Sequence, residues 1–176
     1  MTTSKWALDA SHSLIEFSVK HLMIAKVRGL FHTFDANIEA DLNDLSSAAI
    51  EVNIDLASVD TRNEDRDNHL KSADFFYVEN SPSLKFVATS ITAAKSDDYT
   101  VVGNVTLHGV TKEETFKVTF EGASTDPWGN EKAGFSATGS LKRSDYGLTY
   151  NAALETGGVL IGDDIKINIE FEVQKA

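Results

Sequence analysis

Cysteine is absent from the sequence of 176 residues. Its absence excludes disulfide bonds, thiolate catalysis and zinc–thiolate sites. The chain contains only two prolines, and no apolar run approaches the roughly 18 residues that a membrane-spanning helix requires. The first residues, MTTSKWALDASHSLIEFSVK, lack the basic start, apolar run and cleavage site of a secretory signal. We therefore expect a cytoplasmic protein without stable membrane insertion.

Positive charge is also scarce, because 16 lysines and arginines stand against 27 acidic residues and give a net charge of -11. Such a charge repels the phosphates of nucleic acid and an anionic membrane surface, so neither is expected as a partner. Hydrophobic residues make up 41% of the chain and charged residues 24%, a composition typical of globular proteins. The length predicts a single domain over residues 1–176.

Apolar and polar residues alternate along much of the chain, which is typical of β-strands with one buried face. The clearest examples are the segments IEFSVK, AIEVNIDL, TFKVTFEG and IKINIEFEV. Weaker alternation is found at residues 34–41, 84–90, 99–108 and 132–142. Turn-forming residues separate these segments, notably at Pro82, at His108-Gly109 and at residues 126–130. The pattern predicts about eight strands and almost no helix.

About eight strands in sequence, joined by short turns, favour an all-β fold in which an antiparallel sheet closes into a barrel. A two-sheet sandwich fits the alternation nearly as well, and the pattern alone leaves both open. A barrel of about eight strands either fills its interior with side chains or holds one small ligand. The ten phenylalanines of the chain are compatible with both.

The segment DRDNHLKSADFF, residues 65–76, interrupts the alternation. Thr61 and Glu64 have the spacing of a capping box and predict a short helix near residues 62–71. On that helix Arg62, Arg66 and His69 would share one face, which could hold an anionic head group. Alternatively these cations pair with neighbouring carboxylates as surface ion pairs of little energetic value.

Two further interpretations of this segment concern calcium and the phenylalanines. Asn63, Asp65 and Asp67 have the spacing of an EF-hand loop, but glycine is missing from the position that requires it and cations intervene. Phe75 and Phe76 would point to opposite faces if they lay on a strand. One ring would then face the interior, either as the wall of a cavity or as ordinary core.

No catalytic constellation is visible in the sequence. The five histidines form no metal-binding pair, and no nucleophile elbow, phosphate-binding loop or dinucleotide motif is present. The segment DASHS groups serine, histidine and aspartate too closely along the chain for a catalytic triad. We therefore expect a protein without a cofactor, a metal site or an enzymatic activity. The alternative is an enzyme acting on a lipid-like substrate with His21 or His69 as general base.

Four blocks of the sequence, in order, resemble the YceI-like family of polyisoprenoid-binding proteins. They are DASHSLIEFSVKHLMIAKVRGLF, DNHLKSADFF, GNVTLHGVTKEETFKV and the closing pair LKRSDYGLTYN with GDDIKINIEFEV. The resemblance implies an extended, lipocalin-like antiparallel barrel of eight strands around an elongated apolar tunnel. It also implies non-catalytic binding, sequestration or transport of a long isoprenoid, a quinone or another fatty-chain ligand.

Candidate site residues follow from the phase of the strands within this fold. The inward, apolar candidates are Phe17, Val19, Phe34, Phe76, Phe86, Phe116, Phe135 and Phe171. Arg62, Arg66 and His69 are the candidates for contact with a polar head group at the rim. A homodimer is compatible with the strand edges of an imperfectly closed barrel. A third hypothesis is an interaction protein with a filled core that responds to stress through its surface.

Overall fold

The computed structural model describes residues 3–151 and 160–176. Within these residues the chain forms eleven β-strands, one α-helix and three 3-10 helices. The strands are β1 (Ser4–Leu8), β2 (Leu14–His21), β3 (Ala25–Phe31), β4 (Phe34–Asp41), β5 (Asp44–Asp55), β6 (Val59–Asp60), β7 (Ser83–Ala93), β8 (Asp98–Leu107), β9 (Val110–Thr125), β10 (Glu131–Lys142) and β11 (Asp164–Lys175). Helix α1 spans Glu64–Lys71, and the 3-10 helices span Ala10–His12, Leu56–Ser58 and Arg143–Tyr146. No helix in this part of the chain has the length and apolar character needed to cross a membrane.

The strands form one antiparallel sheet that closes on itself. The sheet runs β1-β4-β5-β7-β8-β9-β10-β11, and β11 pairs back onto β1. Strand β2 continues the line of β1, because both strands pair with β11. Strand β3 continues the line of β4 in the same way, because β3 pairs with β2 and β4 pairs with β1. Counted in this way, the described residues form eight long strands that run up and down in sequence order. The predicted eight-stranded antiparallel barrel with one short helix is confirmed.

The first long strand is interrupted between β1 and β2 by the 3-10 helix Ala10–His12. At this interruption Asp9 N–H donates to Glu172 O (2.9 Å), and Glu172 N–H donates to Ser13 Oγ (3.1 Å). The backbone groups of Glu172 therefore keep partners where neither β1 nor β2 pairs with β11. The Asp9 carboxylate also binds the ring of His12 (Oδ2 to Nδ1, 2.7 Å).

The second long strand is interrupted between β3 and β4, at His32 and Thr33. The chain around Ser58 bridges this gap, since His32 N–H donates to Ser58 O (3.3 Å) and Thr33 N–H donates to Ser58 Oγ (3.0 Å). Strand β6 then pairs with the end of β3, with Phe31 opposite Val59. The barrel wall is thereby continued at the end of the molecule that carries α1.

Apolar side chains of the inner face form two clusters. The larger one fills the wall from the middle of the barrel to the α1 end. The smaller one groups Trp6, Ala40, Leu45, Ala133 and Val173. The indole N–H of Trp6 donates to Ala40 O (3.2 Å), so this buried polar group has a partner. We call this cluster the floor of the barrel, and we call the opposite end, next to α1, the mouth.

Helix α1 begins two residues later than predicted. Its N-cap is Asn63, whose side chain accepts the N–H of Arg66 (2.9 Å). Thr61 is not the cap, because its N–H and hydroxyl both donate to Asp67 Oδ1 (2.8 and 2.6 Å). Arg62 has a φ of 65° and lies outside the helix. The expected shared face of Arg62, Arg66 and His69 is therefore wrong for Arg62.

Candidate functional site: an apolar cavity along the barrel

A cavity of about 500 Å³ runs inside the barrel from the mouth to the floor. At the mouth it is bordered by Arg66, His69 and Tyr150, and at the floor it reaches Ala40 and Leu45. Between these ends its lining is overwhelmingly aliphatic and aromatic. A cavity of this size lies within the range of small-molecule sites in proteins. Its composition suits an apolar ligand.

Most of the wall positions expected from strand phase line this cavity. They are Phe17, Val19, Phe76, Phe86, Phe116, Phe135 and Phe171. Phe34 does not line it. Its ring stacks on that of Phe171 at a centroid distance of 6.0 Å, and it borders a separate depression beside β1. Phe34 is the first residue of β4, next to the interruption, and this position separates it from the cavity.

Three phenylalanine rings of the wall cover glycines on neighbouring strands. Phe17 covers its cross-strand partner Gly29, Phe86 covers Gly103, and Phe116 covers Gly139. A Cβ atom at any of the three glycines would overlap the ring, with a separation of 2.5 Å for Gly103 and Phe86. Because the glycines have no side chain, the rings lie against the wall and leave the centre of the barrel open.

Phe75 and Phe76 both border the cavity, which differs from the sequence-based expectation. The expectation assumed a strand, whose successive side chains alternate between faces. The chain instead turns after α1, and the N–H groups of Phe75 and Phe76 donate to Ser72 O (3.0 Å) and Leu70 O (2.9 Å). This turn directs both rings toward the mouth.

Arg66 lies at the mouth with an exposed side chain. Its guanidinium donates from Nε to Thr61 Oγ1 (2.7 Å) and from Nη2 to Thr61 O (2.6 Å). Among the described residues no carboxylate forms an ion pair with Arg66, since Asp67 is engaged with Thr61 instead. The guanidinium is therefore held in place at the mouth by neutral partners.

His69 is held beside the mouth by three contacts. Its Nε2 lies 2.8 Å from Asp74 Oδ2, and its ring packs edge-on against Phe75 and Tyr150 at centroid distances of 4.9 Å. These contacts orient the imidazole at the border of the cavity. Arg62 lies apart from this group and does not border the cavity, and its N–H donates to Asp60 Oδ1 (2.8 Å).

Arg143 is a buried cation of the mouth that the sequence did not reveal. Its side chain is 6% exposed and borders the cavity. The guanidinium donates to four backbone carbonyl oxygens, those of Leu148 (2.7 Å), Tyr150 (2.9 Å), Gly162 (2.9 Å) and Ile161 (3.3 Å). Burial lowers the pKa of Arg143, and the carboxylate of Asp163 opposes this effect.

The four hydrogen-bond partners of Arg143 are neutral carbonyls, and the carboxylate of Asp163 interacts with its charge from nearby. Two guanidinium groups, those of Arg66 and Arg143, lie at one end of an apolar cavity. No sequence signal could have identified Arg143, since a segment such as KRSDY is ordinary surface composition. Two of its partners are 18 and 19 residues away along the chain.

Tyr146 is fully buried and borders the same cavity. Its hydroxyl donates to Glu114 Oε1 (3.2 Å). Burial raises the pKa of Tyr146, and the neighbouring Glu114 carboxylate adds to this effect. Burial also raises the pKa of Glu114. The pair is a satisfied polar contact of the wall.

Comparison with known proteins identifies a family model described as the YceI-like domain, which matches residues 6–173. The UPF0312 protein SAS2572 of Staphylococcus aureus is 43% identical over 170 residues, which cover 96% of each chain. The structure of the Campylobacter jejuni YCEI protein superposes with a TM-score of 0.76 at 33% identity, covering 89% of this chain and 90% of that one. A polyisoprenoid binding domain from Saccharophagus degradans has the same fold, with a TM-score of 0.74, 15% identity and coverage of 98% and 99%.

Proposed function

The chain belongs to the YceI-like domain family, and we propose that its barrel binds and carries a long apolar chain without altering it chemically. An isoprenoid, a quinone tail or a fatty chain has the required chemistry. The observation that carries this proposal is the open, apolar cavity of about 500 Å³ between the mouth and the floor. The polyisoprenoid-binding neighbour of the same fold supports the isoprenoid as the first ligand to test.

The energetics of such a ligand favour a carrier. Burial of each methylene contributes about 0.8 kcal/mol, so a tail of ten methylenes gains roughly 8 kcal/mol in gross transfer energy. Ordering the flexible tail and losing its free motion offset a large part of that gain. The tail then supplies affinity that grows with its length, and the polar end supplies selectivity.

We assign the tail to the wall residues and the polar end to the mouth. The proposed tail contacts are Phe17, Val19, Phe76, Phe86, Phe116, Phe135 and Phe171, which border the cavity. Arg66 and His69 are the proposed head-group contacts, and Arg143 adds positive charge behind them. Phe34 and Arg62 are left out of the proposed site because neither borders the cavity.

One observation favours the enzymatic alternative, namely the hydrogen bond between His69 and Asp74, which orients an imidazole at the mouth. The serine of the lining argues against it, because its hydroxyl is engaged by a carboxylate and is not paired with His69. Ser136 is the one serine among the described lining residues, and its hydroxyl donates to Glu121 Oε1 (2.8 Å). The filled-core alternative is disfavoured by the volume of the cavity.

Native mass spectrometry of gently purified protein, followed by extraction and identification of the released compounds, tests the proposal. We expect a stoichiometric long-chain adduct or, for emptied protein, uptake of prenyl compounds whose affinity rises with chain length and then levels off. A bare polypeptide mass that persists after incubation with prenyl, quinone and fatty-chain compounds would contradict the proposal. Conversion of the bound compound, lost in His69→Gln, would support the enzyme instead.

Head-group selectivity is tested with Arg66→Met and His69→Leu, using Arg62→Met as the matched control. We expect the first two variants to change the preference between anionic and neutral head groups on the same tail. The control should bind like the wild type, since Arg62 lies outside the cavity lining. Equal effects of all three substitutions would exclude a head-group site at the mouth. The cytoplasmic location and the homodimer stay predictions.

A further inference from the structure

The turn between β2 and β3 presents three apolar side chains to solvent. Leu22, Met23 and Ile24 are 39%, 47% and 85% exposed. Single exposed apolar residues are common on protein surfaces, but three in succession at the end of a hairpin form a projecting apolar patch. We call these three residues the hairpin tip.

The backbone of the hairpin tip adopts a conformation that apolar residues disfavour. Leu22 and Met23 have φ values of 55° and 62°, in the left-handed region that glycine, asparagine and aspartate usually occupy in tight turns. Apolar residues at these positions therefore combine backbone strain with exposure to water. Such an outlier is a reason to look for a function of the side chains themselves.

The strands that carry the hairpin tip are basic, in contrast to the rest of the chain. Between Phe17 and Phe34 the sequence contains no aspartate or glutamate, although the net charge of the chain is -11. Lys20 lies directly opposite Lys26, and Arg28 is the next outward position on β3. Within residues 3–151 and 160–176, none of these three cations forms an ion pair. Like charges in direct opposition destabilise a strand pair, and an anionic surface would relieve this repulsion.

The hairpin tip lies beside the mouth of the cavity. Leu22 N–H donates to Leu160 O (2.9 Å), and His21 pairs with Ile161. His21, Leu160 and Ile161 all border the cavity. A surface that binds the hairpin tip would therefore lie next to the opening through which a ligand enters.

We propose that the hairpin tip docks onto an anionic lipid bilayer, with Leu22, Met23 and Ile24 inserted below the head groups. Lys20, Lys26 and Arg28 then lie at the level of the lipid phosphates, where long basic side chains extend their charges to the polar layer. A bilayer fits better than a protein partner, because the patch has no pocket and lacks the aromatic residues that dominate protein interfaces. This inference deepens the proposed function by identifying the source of the apolar ligand.

The acidic character of the whole chain does not prevent this docking. Salt screens charges beyond about 10 Å, so the cations that touch the surface outweigh the carboxylates on the rest of the barrel. Asp163 and Asp164 lie closer, because Gly162 N–H donates to Lys20 O (2.9 Å), but the carboxylate of Asp163 is engaged by Ser144. At the mouth, Asp67 and Asp74 are already engaged by Thr61 and His69. Glu64 and Asp65 at the start of α1 oppose the attraction, so we expect docking to need the apolar residues as well as the cations.

Co-sedimentation with vesicles tests the docking surface. The vesicles contain phosphatidylcholine alone or with about 30% phosphatidylglycerol, and no long-chain prenyl lipid. We expect binding to the anionic vesicles, and a decrease of roughly 100-fold when Lys20, Lys26 and Arg28 are all replaced by threonine. Met23→Ser with Ile24→Ser should lower binding at least tenfold. Trp128→Ser is the matched control, because Trp128 is 83% exposed at the floor end of the barrel.

Fluorescence quenching gives the orientation of the docked protein. We expect brominated lipids to quench the added tryptophan of Ile24→Trp, and to leave the emission of the wild type unchanged, because Trp6 and Trp128 both lie at the floor end. Absence of binding to anionic vesicles, equal binding by the hairpin variants, or quenching of the wild-type emission would overturn the proposal.

Uptake of a fluorescent fatty acid from solution, without vesicles, separates this inference from the carrier proposal. Hairpin variants that take up the probe normally but fail to dock support the docking surface and show that they are folded. Wild-type protein that docks through the hairpin tip but takes up no probe also supports the docking surface. This result contradicts only the carrier proposal. Normal probe uptake by a wild type that does not dock would overturn the docking surface and leave the carrier.

Discussion

The ring of Phe116 covers the backbone of Gly139 on the neighbouring strand β10, in the space that a Cβ atom would occupy. Phe17 and Gly29 repeat this relationship, as do Phe86 and Gly103. The space inside the barrel therefore depends on pairs of a phenylalanine and a glycine on neighbouring strands. It does not depend on small residues along the whole wall. Substitution of any of these glycines should therefore change the volume of the cavity.

Gly139→Ala is expected to narrow the cavity. The new methyl group must displace the ring of Phe116 inward, and overpacking of this kind costs about 1–3 kcal/mol. Affinity for a long-chain ligand should fall about tenfold or more, measured by displacement of a fluorescent fatty acid. Gly134→Ala on the same strand is the control, because the nearest atom to its added Cβ is Glu121 Cβ at 3.7 Å. Equal losses in both variants would contradict the role of the glycine.

Phe86→Ala is expected to enlarge the cavity and weaken the empty barrel. Phe86 is 8% exposed and packs edge-on against Phe116 at 5.3 Å. Its loss should cost about 3 kcal/mol of unfolding free energy. A bound long tail fills the new space, so the rise in melting temperature on ligand addition should exceed that of the wild type. Val87→Ala, at an outward position of the same strand, should change neither quantity, and a ligand effect equal to that of the wild type would count against the wall assignment.

Arg143→Lys is expected to destabilise the protein although it conserves the charge. An ammonium group cannot reach the four carbonyl oxygens that the planar guanidinium binds, and unsatisfied buried carbonyls are costly. We expect a loss of about 3 kcal/mol in urea unfolding. The reverse exchange at the exposed neighbour, Lys142→Arg, should have no effect. If Arg143→Lys were as stable as the wild type, the four hydrogen bonds of the guanidinium would not be needed for stability.

His12→Gln is expected to lower stability in a pH-dependent way. The hydrogen bond to Asp9 raises the pKa of His12, and the charges of Asp9 and Glu172 add to the effect. A group whose pKa is raised by folding stabilises the protein at pH values below its pKa in the unfolded state. This stabilisation is lost as the pH rises through its pKa in the folded state. The difference in melting temperature between wild type and variant should therefore be larger near about pH 5.5 than near about pH 9. A difference that does not change with pH would refute the coupling.

The opposite sign applies to Asp9 in the same contact. Hydrogen bonds from Ser11 and then from His12 lower the pKa of Asp9 well below its usual range. The stabilisation by Asp9 is therefore present at pH values above its pKa in the unfolded state, and it disappears as the pH falls through its pKa in the folded state. Asp9→Asn should therefore destabilise the protein at neutral pH and have a smaller effect in strong acid.

The alternation of apolar and polar residues left a closed barrel and a two-sheet sandwich both open, but it predicted the long strands correctly. It was sufficient because one face of every strand is buried, so the period of two is imposed along the whole barrel. It did not reveal the interruptions at Asp9 and His32, since these depend on hydrogen bonds to Glu172 and Ser58 from distant segments. The cap of α1 was misplaced because Thr61 binds Asp67 instead of the helix terminus.

The cavity itself could not be predicted from side-chain size. Ten phenylalanines are equally compatible with a filled and an open barrel. The difference lies in the register, which brings Phe17 opposite Gly29 and places Phe116 against Gly139. Register is a relation between segments, whereas alternation is a property of each segment alone. The same reason hides Arg143, whose partners are backbone atoms of the connection between β10 and β11.

Within the described residues, the buried Trp6 cluster closes the floor end of the barrel, and the cavity opens at the mouth. On the carrier proposal, the tail enters first and the polar end leaves first, so nothing passes through the molecule from one side to the other. Donor and acceptor must then use the same opening at different times, and a complex in which both are engaged at once is excluded. Delivery of the ligand consequently requires the loaded protein to leave the donor surface and reorient before it meets the acceptor. The rate of delivery cannot exceed the rate at which the protein is released from the donor.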